Sequence, residues 1–171
     1  MPALKMKVCL LGDTAVGKTS LVRRFLDNVF ETSFAGTIGF KVKCKVVIVI
    51  ASGDVVELAM MIWDLAESED FDQVCTSYLR DAAGAVLVCD MTRPKTLESL
   101  RAYAAVMSRI NPHARFVVAA NKDDLIPDRG LAEKQLQALA AELQASYFLT
   151  SAKTGQAVET LFRELGRALA N

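Results

Sequence analysis

Short apolar runs and amphipathic stretches alternate along the whole chain. Residues 5–11 (KMKVCLL) read as a short buried strand, and residues 18–26 carry Leu21, Val22, Phe25 and Leu26 at helical spacing. Residues 40–50 and 55–63 are two β-rich runs joined by Ala51-Ser52-Gly53-Asp54, which reads as a hairpin turn. Lys41, Lys43 and Lys45 alternate there with Val42, Cys44 and Val46. One face is thus charged, which predicts an exposed edge strand guarded against aggregation. Residues 85–89 (AVLVC) and 116–120 (FVVAA) are continuous apolar runs, as strands buried on both faces require, and a shorter run covers 147–149. Leu97, Leu100, Ala104, Met107 and Ile110 keep helical spacing. So do Leu136, Leu139, Ala140 and Leu143, then Val158, Leu161, Phe162, Leu165 and Leu169. The alternation predicts an α/β fold, a mainly parallel sheet covered on both faces, with the hairpin as one antiparallel edge. Right-handed crossovers would gather the ligand loops at the carboxyl ends of the strands. With no repeat, low-complexity tract or linker, residues 1–171 are expected to form a single domain.

Between the first strand and the first helix lies GDTAVGKT, Gly12 to Thr19, which fits G-x-x-x-x-G-K-[ST]. Strand, loop and helix are the context in which this pattern wraps the phosphates of a nucleotide. Its glycines let the backbone turn so that N–H groups of Asp13, Thr14, Ala15, Val16 and Gly17, and of Lys18 to Ser20 beyond, can face phosphate oxygens. The helix N-terminus adds partial positive charge. Lys18 would bridge the β- and γ-phosphates, and the Thr19 hydroxyl would ligate Mg²⁺.

Composition narrows the setting. Lys plus Arg and Asp plus Glu balance at 20 each, which argues against a nucleic-acid protein. No apolar run reaches bilayer length, no signal peptide opens the chain, and neither a myristoylation glycine nor a prenylation cysteine is present. The expectation is a cytoplasmic domain with no direct membrane anchor of its own. Cys9, Cys44, Cys75 and Cys89 lack C-x-x-C spacing and read as small packing residues in a reducing compartment. His113 is the one histidine, so His-based chemistry has little to work with.

A phosphate loop alone does not choose a base. Asn121-Lys122-Asp123-Asp124 fits N-K-x-D. The Asp124 carboxylate can accept from guanine N1–H and the N2 amino group together, a donor pair that adenine lacks. Asn121 can link base and loops, and the Lys122 stem can cover the ring. Further on, Thr150-Ser151-Ala152-Lys153 closes the last strand, where backbone N–H groups can meet the guanine O6.

With these motifs in order, the sequence resembles a small GTPase of the Ras superfamily, most of all the Rab-type branch. The likeness runs from residue 5 to 169 and is carried by GDTAVGKTSLVRRF, TIG at 37–39, IWD at 62–64, SYLRDAAGAVLVCD, NKDDL and LTSAK. It implies a P-loop G domain with a six-stranded sheet and about five helices, binding GTP or GDP with Mg²⁺. It also implies an exchange factor, an activating protein and effectors as partners. By the resemblance Phe30 lies edge-on against guanine, Thr37 reaches Mg²⁺ and the γ-phosphate in the GTP state, and Asp64 binds Mg²⁺ through water.

The pattern breaks in one place. Relatives read D-x-x-G-Q after the third strand; this chain reads Asp64-Leu65-Ala66-Glu67-Ser68. Glu67 restricts a backbone that glycine leaves free and brings a carboxylate toward a polyanion. Ser68 is too short to orient water as glutamine does. Intrinsic hydrolysis is therefore expected to be weak, with Glu67 or Glu69 orienting the water, or a partner supplying glutamine and arginine. Phe34 stands where relatives often carry tyrosine, and the hairpin between Thr37 and Asp64 is a few residues longer than usual. Three readings stay open: a guanine-nucleotide switch, a pseudo-GTPase that holds nucleotide without turnover, and an adenine-specific P-loop enzyme, which Asp124 disfavours.

Overall fold

The computed structural model describes residues 3–28, 40–65 and 76–171, with the side chains of Phe40 and Leu65 left aside. Strand β1 (Leu4–Leu11) leads into helix α1 (Lys18–Asp27). Strands β2 (Phe40–Ala51) and β3 (Asp54–Leu65) form the hairpin. They are followed by β4 (Gly84–Asp90), α2 (Pro94–Glu98), α3 (Leu100–Ile110), β5 (Arg115–Asn121), α4 (Gly130–Glu142), β6 (Ser146–Leu149) and α5 (Val158–Ala170). The helical stripe that starts at Leu97 is divided at Ser99, so α2 and α3 are separate helices.

The six strands run in the order β2-β3-β1-β4-β5-β6. Only β2 is antiparallel to its neighbour; β1 pairs in parallel with both β3 and β4, and β5 joins β4 to β6. The chain leaves β1 for one side of the sheet and later returns on the other. The loop after β1 therefore lies at the point where strand order reverses, the natural position for a ligand in an open α/β sheet.

Alternation along each buried strand sorts side chains into two cores. Val8, Leu10, Val86 and Val88 share one with Leu21, Phe25, Leu161, Phe162 and Leu165 of α1 and α5. Cys9, Leu11, Ala85, Leu87 and Cys89 share the other with Leu100, Met107, Leu136 and Leu139 of α3 and α4. Phe25 and Phe162 stack with centroids 4.1 Å apart, which ties α1 to α5.

The hairpin turn is tight: Ser52 and Gly53 have φ of 51° and 87°, the doubly left-handed form that matches strand twist. β2 is the sheet edge, as its sequence predicts, with Lys41 and Lys43 exposed; farther along, that face turns inward and the opposite one lies open. Lys45 lies beside α1, with Nζ 4.0 Å from the Phe25 ring centroid and 2.6 Å from the Phe25 carbonyl. Val46, Ile48 and Ile50 are instead 53%, 53% and 68% exposed. The reason is register: Val47 and Val49 must enter the core with α5, which turns their neighbours outward. Cys44 is likewise exposed rather than packed, whereas Cys9 and Cys89 are buried as expected. Cys75 lies outside the described residues.

Candidate functional site

The strands deliver their polar residues to one end of the sheet. Asp64 stands near the end of β3, Asp90 ends β4, Asn121 ends β5, and Thr150 and Ser151 follow β6. All five are buried although they are polar; Asn121 and Thr150 bond to each other, while Asp64, Asp90 and Ser151 bond to Thr19, to Lys122, Arg93 and Thr92, and to Asp124.

The loop from Gly12 to Gly17 is fixed by its carbonyls. Lys18 Nζ donates to the carbonyls of Gly12 (2.8 Å) and Asp13 (2.9 Å). The next three carbonyls turn toward other elements. Thr14 accepts from Arg93 Nη2 (2.6 Å), Ala15 from Lys122 Nζ (2.9 Å), and Val16 from Asn121 Nδ2 (2.9 Å). In a trans peptide the C=O and the next N–H point opposite ways, so the N–H groups of Ala15, Val16 and Gly17 face the other side of the loop. That array, beside the Lys18 ammonium and the start of α1, can receive phosphate oxygens. Both glycines are obligatory on contact grounds. A Cβ on Gly12 would lie 2.3 Å from the Val88 carbonyl, and one on Gly17, at φ 104°, would lie 2.2 Å from Asn121 Nδ2. Ser20 continues α1 one residue beyond Thr19.

Thr19 and Asp64 meet at the mouth of this loop. The Thr19 hydroxyl donates to Asp64 Oδ2 at 2.6 Å, while Asp64 Oδ1 is buried with no hydrogen-bond partner among the described residues. Burial pushes the Asp64 carboxyl above its ordinary range, against the pull of the Thr19 hydroxyl and of Lys18. A hydroxyl and an orphaned carboxylate oxygen side by side are hard oxygen donors suited to Mg²⁺. The residues present fit that ion.

The base end is organised around Asn121. Its Oδ1 accepts from the Thr150 hydroxyl (3.2 Å) and the Ala152 N–H (3.3 Å) while its Nδ2 holds Val16. One side chain thus joins the phosphate loop to the Ser151-Ala152-Lys153 turn. The Ala152 N–H expected to meet a base oxygen is engaged by Asn121 in this structure. Arg24 of α1 closes the far side, donating to the carbonyls of Ala152 (2.8 Å) and Lys153 (2.6 Å).

The two adjacent aspartates have opposite surroundings. Asp124 is exposed, with Oδ1 held by the Ser151 hydroxyl at 2.8 Å. Asp123 is buried and takes hydrogen bonds from Arg129 Nε and Nη2 and from Gln156. Those bonds, Arg129 foremost, hold its carboxyl below the usual range.

Three contacts had no signal in the sequence. Asp90 is 1% exposed, and its Oδ2 binds Lys122 (2.8 Å) and Arg93 Nε (3.1 Å). Burial alone would raise the Asp90 carboxyl, but hydrogen bonds from Lys122, Thr92 and Arg93 bring it below the ordinary range. Through Asp90, the side chains on the Thr14 and Ala15 carbonyls share one anchor. The Tyr103 hydroxyl, from α3, donates to Asp13 Oδ1 at 2.9 Å. None of these partners recurs at a motif spacing. Phe30, Phe34, Thr37, Glu67 and Ser68 lie outside the described residues.

Residues 7–171 match the Ras family. The chain belongs to it. Among its relatives, the Ras-related protein SEC4 of Candida albicans is 34% identical over 161 residues, covering 94% of this chain and 75% of SEC4. The Ras-related protein Rab-10 of Caenorhabditis elegans is 33% identical over 167 residues, covering 95% and 80%. The Ras-related protein Rab-22A of Canis lupus familiaris is 34% identical over 171 residues, covering 99% and 86%. This chain is a Rab-like member of the Ras superfamily, with the six-stranded α/β architecture of its G domain. The family is one of small GTPases, nucleotide-binding switches whose members bind guanine nucleotide, typically with Mg²⁺, and work with regulatory partners. Among the described residues, no helix is long and apolar enough to cross a membrane, and no group of His, Cys, Asp or Glu makes a metal cluster.

Proposed function

We propose that this Ras-family chain is a GTP/GDP switch with Mg²⁺-dependent but slow intrinsic GTP hydrolysis, working in the cytoplasm. The observation that carries this is the Asn121 side chain, which bonds both the phosphate loop and the Ser151-Ala152 turn and so makes one site for base and phosphates. Asp124, exposed and oriented by Ser151, would accept the two guanine donors. Lys18 would exchange its bonds to Gly12 and Asp13 for phosphate oxygens, while N–H groups of the loop take the rest. Thr19 and Asp64 would hold Mg²⁺, joined by Thr37, and the ion would supply charge neutralisation for the nucleotide phosphates. Phe30 and Phe34 would flank the nucleotide. Exchange factor, activating protein and effectors would act on the segments 30–40 and 64–78.

Slow turnover is read from Glu67 and Ser68, which replace the family's glycine and glutamine. Phosphoryl transfer depends on positioning and charge, and both are impaired there. The same feature favours a second reading, a pseudo-GTPase that holds guanine nucleotide without appreciable hydrolysis or switching. Purification, identification of the copurifying nucleotide and single-turnover hydrolysis beside Glu67→Gly/Ser68→Gln test both. Guanine nucleotide should copurify, and the double variant should hydrolyse GTP about tenfold faster or more. Turnover in the unaltered chain as fast as in a Rab protein with D-x-x-G-Q would overturn the slow-switch reading. A chain with no measurable turnover, and the same 30–40 and 64–78 conformation with GDP and GTP analogue, would establish the pseudo-GTPase.

A further inference from the structure

The outer side of the phosphate loop is held at consecutive residues by side chains that would not touch the nucleotide. Tyr103 bonds the Asp13 carboxylate at 2.9 Å, and Arg93 bonds the Thr14 carbonyl at 2.6 Å. Neither donor is free to wander. The Tyr103 ring packs on the core between the sheet and α3, so its hydroxyl is placed by buried neighbours. The Arg93 guanidinium is set by Asp90, which is 1% exposed and accepts its Nε, leaving Nη2 for the loop. The loop they grip contains Ala15 at φ 58°, a left-handed conformation that persists in a non-glycine residue only when its surroundings enforce it.

We propose that Arg93 and Tyr103 are positioning residues for the nucleotide phosphates: by bracing Thr14 and Asp13 from outside, they set how long GDP or GTP stays bound. This rests on the guanine-nucleotide reading above. The physical basis is preorganisation. A loop already ordered in its receiving form spends no binding free energy on ordering itself, whereas a slack loop does, and the loss emerges as faster release. The effect acts at the phosphates, so GDP and GTP should feel it alike, and the preference for guanine over adenine, set at Asp124, should not change.

The test is release of a fluorescent GDP from the full chain in excess Mg²⁺, chased with unlabelled GDP. Tyr103→Phe, which keeps the ring and removes only the hydroxyl, and Arg93→Met should each release GDP about three- to tenfold faster. Asp13→Ala removes the Tyr103 bond from its other end and should match Tyr103→Phe. The two together should release no faster than either alone, because they delete one interaction. The ³¹P resonances of bound GDP should shift in these variants. If Tyr103→Phe fails to fold, Asp13→Ala carries the same comparison. Release within about twofold of the unaltered chain, with only the melting temperature lowered, would reduce the brace to a structural contact and overturn the proposal. Failure of the unaltered chain to hold GDP at all is a different result. It would sink the guanine-nucleotide reading, and this inference with it.

Discussion

Asp123 and Asp124 are neighbours of the same type, yet the fold gives them different work. Asp123 is 3% exposed and engages Arg129 and Gln156; Asp124 is exposed and oriented by Ser151. Asp123→Asn should lower stability by about 2 kcal/mol, measured by urea unfolding, and leave base preference intact. The pH dependence follows in sign. The folded Asp123 carboxyl lies below its ordinary value, so its contribution is present above the usual carboxylate range and is lost as pH falls through the folded value. Unfolding between pH 7 and pH 3 should therefore be less pH-dependent in Asp123→Asn than in the parent. Asp124→Asn, by contrast, should weaken GDP about a hundredfold in competition binding, because two guanine donors lose their carboxylate, with little change in stability. N-K-x-D pointed to Asp124; nothing in the tetrapeptide revealed that Asp123 would be a buried ion-pair partner.

At the scale of elements, the β2–β3 hairpin shows where alternation is ambiguous. The period of two separates the lysines from the valines, but it does not say which set faces protein. α5 decides it, since Val47 and Val49 pack against that helix and carry Lys45 with them toward Phe25. Cys44 then shares the open face with Val46 and Ile48. In a Cys75→Ser background, the native chain should take up one equivalent of a thiol reagent rapidly, at Cys44, on mass spectrometry. Cys9 and Cys89 should react only on unfolding, and burial that pushes the Cys89 thiol up to about 12 makes its thiolate scarcer still. Fast native labelling of Cys89 would contradict this placement.

Over the whole molecule, the two cores bring the site together by holding the carboxyl ends of the five parallel strands in register. The Phe25–Phe162 stack fixes α1, the helix that the phosphate loop leads into, against α5. Phe162→Ala should cost about 3–5 kcal/mol by denaturant unfolding, and GDP release should quicken with it. The sequence by itself determined the strand-and-helix alternation, the sheet's mixed character, the phosphate loop and the base-reading tetrapeptide. Each of these is written in local spacing or in a motif whose chemistry needs adjacent residues. Only the tertiary structure decided that the valine face of β2 is open from Val46 to Ile50, that Asp64 keeps a buried oxygen unpartnered among the described residues beside Thr19, and that Arg93 and Tyr103 grip the loop. Those contacts join residues 45, 79 and 90 positions apart in the chain. Such pairs leave no period to read, because it is the parallel sheet and its crossovers, and not neighbouring sequence, that set them side by side.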